Sequence, residues 1–174
     1  IGVRPFDILR QVPPQHVLRI PENRLCITIQ EILNTEGIVL EPAGALSIDA
    51  LRDLGPEIEG RRIVCVATGG NFDFERLPDV KERAMRFAGL KKYYVLRMPQ
   101  RPGALRDFLD ILGPDDDIAR FEYLKKSARN FGSVLIGIES REPQAFAQLE
   151  TRMAELGMAA RDLTGDPLLS ELVI

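Results

Sequence analysis

The fold is decided by Tyr93-Tyr94-Val95-Leu96-Arg97-Met98, which is followed two residues later by Arg101-Pro102-Gly103-Ala104-Leu105. The first run is rich in aromatic and β-branched residues, which favour a strand. In the second run proline fixes one backbone dihedral angle and glycine permits a tight turn. The residues after the turn recur at helical spacing on one face: Leu105, Phe108, Leu109 and Leu112. The stretch therefore predicts a strand, a turn and a helix.

The pattern after this helix predicts four more elements. Residues 118–124 and 133–138 read as two strands joined by a polar hairpin loop at 127–132. A helix is expected over 143–156, and a fourth strand over 158–163. The order βαββαβ is typical of a ferredoxin-like sandwich. We therefore expect an α+β domain over residues 90–174.

The first half alternates between helical and strand patterns instead. Helices are expected near residues 6–12, 22–36, 42–54 and 77–87, and short apolar strands at 17–20, 38–40 and 63–67. Such alternation predicts an α/β layer fold with a parallel sheet. The change in pattern after Gly89 places the boundary between the two domains near Leu90, so that the first domain covers residues 1–89.

One strand of the first half ends in a group of polar and small residues, Val64-Cys65-Val66-Ala67-Thr68-Gly69-Gly70-Asn71. A buried parallel strand that stops in this way brings its last residues to the carboxyl edge of the sheet, where open α/β folds bind ligands. The hydroxyl of Thr68 can hydrogen-bond a heterocyclic nitrogen, and the two glycines leave room for a planar ring. A simple strand-to-helix turn explains the same glycines, so both interpretations stay open.

Two further turns are candidate sites. In Glu41-Pro42-Ala43-Gly44-Ala45 the small residues allow close approach of either a flat group or another backbone. Glu41 itself is either a solvated acid at a helix start or a carboxylate near a ligand. The turn before Ala104 opens a helix whose free N–H groups suit the carboxylate of an amino-acid effector, although a tight turn without a ligand has the same sequence.

Composition and charge exclude several function classes. The net charge is −3 and the 23 basic residues form no stripe, which argues against a nucleic-acid partner. Two cysteines and one histidine lack metal-ligand spacing, and the acidic run 115–117 lacks the pattern of a calcium loop, so no metal site is expected. No apolar run approaches the ~18 residues of a membrane span. We expect a cytoplasmic protein without membrane association.

Several linked motifs resemble one enzyme family, the biosynthetic threonine dehydratases (threonine deaminases), which are fold-type II pyridoxal-phosphate enzymes. Arg19-Ile20-Pro21-Glu22, residues 41–45 and residues 68–71 resemble the last portion of their catalytic domain. Residues 96–105 and Arg120-Phe121-Glu122-Tyr123 resemble a single ACT-like regulatory domain. The resemblance covers essentially the whole chain, and it implies that residues 1–89 are part of a three-layer α/β cofactor domain.

The resemblance also implies an activity and a set of site residues. The complete enzyme would deaminate L-threonine to 2-oxobutanoate and ammonia in the first step of isoleucine biosynthesis. It would bind pyridoxal 5′-phosphate, form a homo-oligomer and respond to isoleucine or valine. The hydroxyl of Thr68 would bond the pyridine nitrogen, with Gly69, Glu41 and Gly44 near the cofactor. The effector-binding residues would be Arg97, Gln100, Gly103, Ala104 and Leu105.

The chain departs from the family pattern because the Schiff-base lysine and the glycine-rich phosphate loop are not among its 174 residues. None of its lysines has the matching context: Lys81, Lys91, Lys92, Lys125 and Lys126. We therefore expect no catalytic residue and no deaminase activity in this chain alone, and its start at Ile1 indicates a piece of a longer protein. The alternative function is a stand-alone amino-acid-binding regulatory protein that keeps a remnant of the catalytic fold.

Overall fold

The computed structural model describes residues 2–124 and 130–167, and the chain divides into two units, Ile1–Ala84 and Met85–Ile174. Lys125, Lys126 and the first part of the expected hairpin loop lie outside the described residues. No helix in the described ranges is long and apolar enough to cross a membrane.

The first unit is helical in its described residues. Its helices are α1 (Val3–Leu9), α2 (Glu22–Glu36), α3 (Pro42–Asp49), α4 (Leu51–Leu54) and α5 (Leu77–Phe87), the last of which ends beyond the unit boundary. Helix α2 ends as expected at Gly37, which has the left-handed φ of 68° that glycine tolerates best. The N–H of Gly37 donates to the Leu33 carbonyl at 3.1 Å and so satisfies a free carbonyl of the last turn.

Helices α2 and α3 are held together by a buried carboxylate. Asp49, at the end of α3, is fully buried and accepts a hydrogen bond from the Thr28 hydroxyl at 2.6 Å. The guanidinium of Arg24 donates to the same carboxylate at 2.8 Å and also pairs with Asp53. A buried charge is tolerated only when it is paired and hydrogen-bonded, and these contacts satisfy both needs. They fix α3, and therefore the turn at Glu41 that begins it, against α2.

The expected parallel sheet of the first unit is not formed among its described residues. The segments at 17–20, 38–40 and 63–67 belong to no helix or strand and have no strand partner in this part of the chain. A strand depends on a hydrogen-bonded neighbour, so an apolar run without one stays irregular. Val64 and Val66 show this directly, because they are 90% and 69% exposed instead of lying between two layers.

The second unit confirms the α+β order that the sequence predicts. The strands are β1 (Lys91–Pro99), β2 (Asp117–Leu124), β3 (Phe131–Glu139) and β4 (Ala159–Asp162), and the helices are α6 (Ala104–Asp110) and α7 (Ala145–Glu155). The strands form one antiparallel sheet in the order β2-β3-β1-β4. Alternate residues of β1 and β3 pack in a core with both helices, including Leu96, Met98, Ile136, Phe108 and Phe146.

Two glycines of β3 lie beneath tyrosine rings. A Cβ on Gly137 would come within 2.7 Å of a ring carbon of Tyr93, and a Cβ on Gly132 would come within 2.5 Å of a ring carbon of Tyr123. The two glycines are five residues apart, so the alternation of the strand directs them to opposite faces of the sheet. Each ring therefore occupies the space that a side chain at the glycine position would need.

Candidate functional site

Two turns of the first unit contact each other, and they contain the residues that the sequence predicts near a cofactor. The N–H of Glu41 donates to the carbonyl of Gly69 at 3.2 Å. One turn further into α3, the Ser47 hydroxyl donates to the Val66 carbonyl at 2.9 Å. The segment that leads to Thr68 is therefore held along the start of α3 through its main-chain acceptors, although it forms no strand.

The two turns approach each other so closely that side chains are excluded. A Cβ on Gly44 would lie 1.6 Å from the carbonyl oxygen of Thr68. A Cβ on Gly69 would lie 2.0 Å from Oε1 of Glu41, and the φ of Gly69 is +86°. The structure thus brings together all four residues expected near the cofactor. The approach is backbone against backbone at Gly44, which was one of the two possibilities that the sequence left open.

Thr68 is the member of this group that faces outward. It is exposed, whereas Gly44 is buried and Glu41 and Gly69 are half-buried. Its hydroxyl makes no hydrogen bond to another described residue, so it can donate to or accept from a ligand. An exposed hydroxyl on a turn braced by two side-chain-free positions is compatible with a flat heterocycle. The role of these four residues in binding stays a prediction.

Only three of the five residues expected to bind an effector line the same groove among the described residues. Arg97 is exposed on β1, and its guanidinium lies 5.0 Å from the ring centre of Phe131 on the face opposite Leu96 and Met98. The backbone of Gln100 donates to the Asn130 carbonyl at 2.8 Å. The side-chain Nε2 of Gln100 is buried and has no hydrogen-bond partner among the described residues.

The other three expected effector residues line a groove that we call the α6 groove. It has a cavity volume of about 560 Å³, and its walls include Gly103, Ala104, Leu105, Leu109, Phe121 and Tyr123. Gly103 takes the left-handed conformation that the turn requires, with φ 85°. The sequence pattern does not place the two aromatic residues of β2 in this groove, because their position beside α6 depends on the pairing of β2 with β3.

The α6 groove combines an apolar wall with cationic groups. Leu105, Leu109, Phe121 and Tyr123 are each between 37% and 46% exposed, so an aliphatic side chain can bury apolar surface against them. Arg101 and Arg106 also line the groove, and Arg101 is paired with Asp107. Guanidinium groups beside an apolar wall match a small carboxylate with an aliphatic side chain.

The acidic run 115–117 has structural partners. Oδ2 of Asp116 accepts the Gly113 N–H at 2.7 Å, and Asp115 pairs with Arg141 at 3.1 Å. The described ranges contain no group of three histidine, cysteine or acidic residues placed to hold a metal ion. These contacts give the first two aspartates of the run a structural role in a turn.

Comparison with known proteins identifies relatives of this chain. Residues 82–173 match the family model described as the C-terminal regulatory domain of threonine dehydratase. All of the chain aligns with the L-threonine dehydratase biosynthetic IlvA of Halalkalibacterium halodurans at 42% identity, and with that of Staphylococcus epidermidis at 40%. The same protein of Staphylococcus aureus is 39% identical. The chain spans 41–42% of the length of these curated relatives.

Among solved structures, a C-terminal segment of the alpha subunit of aIF2 from Pyrococcus abyssi aligns with 78% of this chain and 77% of its own length. The identity is 15% and the TM-score is 0.24, which is too low to indicate a shared fold.

Proposed function

The chain belongs to the threonine dehydratase family, and from this membership we propose that it is the C-terminal portion of an enzyme that deaminates L-threonine to 2-oxobutanoate and ammonia. The observation that carries the proposal is the family match over residues 82–173, together with relatives that align over the whole chain. In this proposal residues 1–89 end a catalytic domain and residues 90–174 form its ACT-like regulatory domain.

Pyridoxal 5′-phosphate is the cofactor that we propose for the complete enzyme, where it would supply an electron-withdrawing ring for the elimination. The exposed hydroxyl of Thr68 would form a hydrogen bond with the ring nitrogen. Glu41, Gly44 and Gly69 would hold the turn that presents this hydroxyl. The support for this assignment is the close approach of the two turns, since Gly44 and Gly69 leave no room for a Cβ.

The cofactor assignment is tested in the complete protein that contains this chain. We expect Thr68→Ser, which keeps the hydroxyl, to retain the cofactor, and Thr68→Val, which keeps the shape, to bind it more weakly. The measurement is the visible absorbance of pyridoxal phosphate that stays with the protein through gel filtration. Equal retention by the serine and valine variants would contradict the role of the hydroxyl.

We propose that the α6 groove binds isoleucine or valine as the effector. The apolar wall would take the branched side chain, and the arginines at the rim would take the carboxylate. Regulation further requires that the effector bind two states of the enzyme with different affinity, which typically amounts to about 1–3 kcal/mol. The proposal includes a homo-oligomer in the cytoplasm, since small regulatory sandwiches of this type commonly pair.

The effector site is tested by calorimetric titration of the chain with L-isoleucine. We expect Leu105→Ser to weaken binding at least about tenfold, because full burial of an aliphatic side chain is worth about 1.5–3 kcal/mol and every 1.4 kcal/mol is tenfold. Asp110→Ser is the matched control, since it changes an exposed residue of the same helix that does not line the groove. Binding that is equally tight in both variants would exclude the α6 groove as the site.

A further inference from the structure

Ser47, in α3, is joined to the segment before Thr68 by two hydrogen bonds. Its hydroxyl donates to the Val66 carbonyl at 2.9 Å. Its main-chain carbonyl accepts a hydrogen bond from the Cys65 thiol at 3.5 Å. Two consecutive residues of the segment are therefore attached to one residue of the helix.

The hydroxyl of Ser47 does not bond its own helix. Hydroxyl groups inside helices commonly donate to the carbonyl four residues earlier. Thr35 of α2 and Thr151 of α7 do so, at 2.9 and 3.0 Å. Ser47 donates instead to an acceptor 19 residues further along the chain. Its hydrogen bond therefore holds the segment before Thr68 and adds nothing to the backbone bonding of α3.

Positions 41, 44 and 47 form one line of contact along α3. A spacing of three places helix residues on the same face. In this order they meet residues 69, 68 and 66, so the segment runs antiparallel to the helix. Glu41 contributes its backbone N–H, and Gly44 leaves space for a carbonyl. Of the three positions, Ser47 is the one that contributes a side-chain donor.

The segment before Thr68 lacks the support of a sheet in the part of the chain that the structure describes. Val64 and Val66 are largely exposed and belong to no strand. Helix α3, in contrast, is fixed to α2 through the buried carboxylate of Asp49, which accepts the Thr28 hydroxyl. A hydrogen bond from this fixed helix can therefore set the position of the segment.

We propose that Ser47 is a positioning residue for Thr68, whose hydroxyl it places by holding residues 65 and 66 on α3. A single residue separates Val66 from Thr68, so few backbone torsions can absorb a displacement of the Val66 carbonyl. The inference rests on the proposed contact of Thr68 with the cofactor. It adds a residue that acts on this contact through the backbone.

The attachment itself is tested in the 174-residue chain by hydrogen exchange of the Glu41 amide, which bonds the Gly69 carbonyl. We expect Ser47→Ala to speed its exchange about threefold to tenfold, since loss of one neutral hydrogen bond favours local opening by that factor. Alanine is a better helix former than serine, so α3 itself is not weakened. An unchanged exchange rate would overturn the proposal.

The effect on the cofactor is measured in the complete protein as the dissociation constant of pyridoxal phosphate, by equilibrium dialysis. We expect Ser47→Ala to weaken binding about threefold to tenfold. Ser47→Thr keeps the donor and should restore the affinity. Thr35→Val is the matched control, because it removes a hydroxyl that bonds a carbonyl of its own helix. Wild-type affinity in Ser47→Ala, or equal losses in Ser47→Ala and Thr35→Val, would contradict the positioning role.

A double-mutant cycle shows whether Ser47 acts through Thr68. We expect Ser47→Ala to weaken cofactor binding less in the Thr68→Val background than in the wild type, because independent effects would add. Full additivity refutes the proposal. Weaker binding in Thr68→Val without weaker binding in Ser47→Ala overturns the positioning role and leaves the proposed cofactor contact standing. Unchanged binding in Thr68→Val overturns both.

Discussion

Glu41 and Gly69 interact through both backbone and side chain: the Glu41 N–H donates to the Gly69 carbonyl at 3.2 Å, and its carboxylate lies where a Cβ of residue 69 would be. The contact joins two turns that are distant in sequence. It makes the conformation of residue 69 dependent on that of residue 41, and this dependence can be tested.

The substitution Gly69→Ala should destabilise the first unit. Alanine is strained at a φ of +86°, and its Cβ would collide with the Glu41 side chain. We expect a loss of about 1–3 kcal/mol in the free energy of unfolding, measured by urea denaturation. Gly70→Ala is the control, because a Cβ there meets nothing within 4 Å. Similar stability of the two variants would show that the turn is not constrained as the structure indicates.

Gly44→Ala should be at least as damaging, for a different reason. Its Cβ would lie 1.6 Å from the carbonyl oxygen of Thr68, and a backbone atom cannot move away by rotation of a side chain. Overpacking of this kind typically costs about 1–3 kcal/mol or more. Ala43→Ser, at the exposed neighbouring position, should leave the thermal midpoint nearly unchanged. If both variants have the same thermal unfolding midpoint, the two turns do not contact each other in solution.

Thr28→Val should weaken the connection between α2 and α3. Valine keeps the shape of threonine but removes the hydroxyl that donates to the fully buried Asp49 at 2.6 Å. Loss of a bond to a buried charge predicts a destabilisation of about 1.5–3 kcal/mol in urea unfolding. Thr35→Val, on the same helix, is the control because the hydroxyl of Thr35 is exposed. A destabilisation no larger than that of the control would mean that Asp49 does not depend on Thr28.

The stability of the regulatory unit should fall in acid through Asp162. Burial alone would raise the pKa of this carboxyl, but hydrogen bonds from Thr164 and Lys92 hold it below its usual value of 3.8. A depressed pKa adds stability above 3.8 that is lost as the pH falls through the lower native value. The difference in melting temperature between the wild-type chain and Asp162→Asn should therefore be greatest near neutrality and shrink below pH 3.8. A difference that is independent of pH would contradict the depressed pKa.

The chain alone should form no 2-oxobutanoate from L-threonine in the presence of pyridoxal phosphate. The reason is that none of its lysines has the context of a Schiff-base residue. The product is detected as its hydrazone, with the complete enzyme as the positive control. Turnover by the chain alone would refute this expectation.

The helices and strands of the second unit could be predicted from the sequence because the apolar and polar residues of each element recur in a pattern that shows which face is buried. Leu96 and Met98 alternate with Arg97, and this local pattern predicts both the strand and its inner face. The same alternation indicates that Arg97 lies on the face opposite the core. The sequence therefore already placed Arg97 on a different face of β1 from the residues that pack against α6.

The parts that could not be predicted depend on partners distant in the chain. Val64 and Val66 have the composition of a strand, but composition does not supply the neighbouring strand that would bury them. Phe121 and Tyr123 reach the α6 groove through the register of β2 against β3, which no local pattern specifies. The sequence predicted the approach of another backbone to the run of small residues at 43–45 only as one of two explanations, and it did not identify Thr68 as the partner of Gly44.

The two glycines under tyrosine rings constrain how related sequences can diverge. A larger residue at position 137 requires a smaller one at position 93, because both compete for one volume on the same face of the sheet. The same exchange links positions 132 and 123 on the other face. Among homologous chains these two pairs should therefore change together, and a lineage that replaces one member alone should be rare.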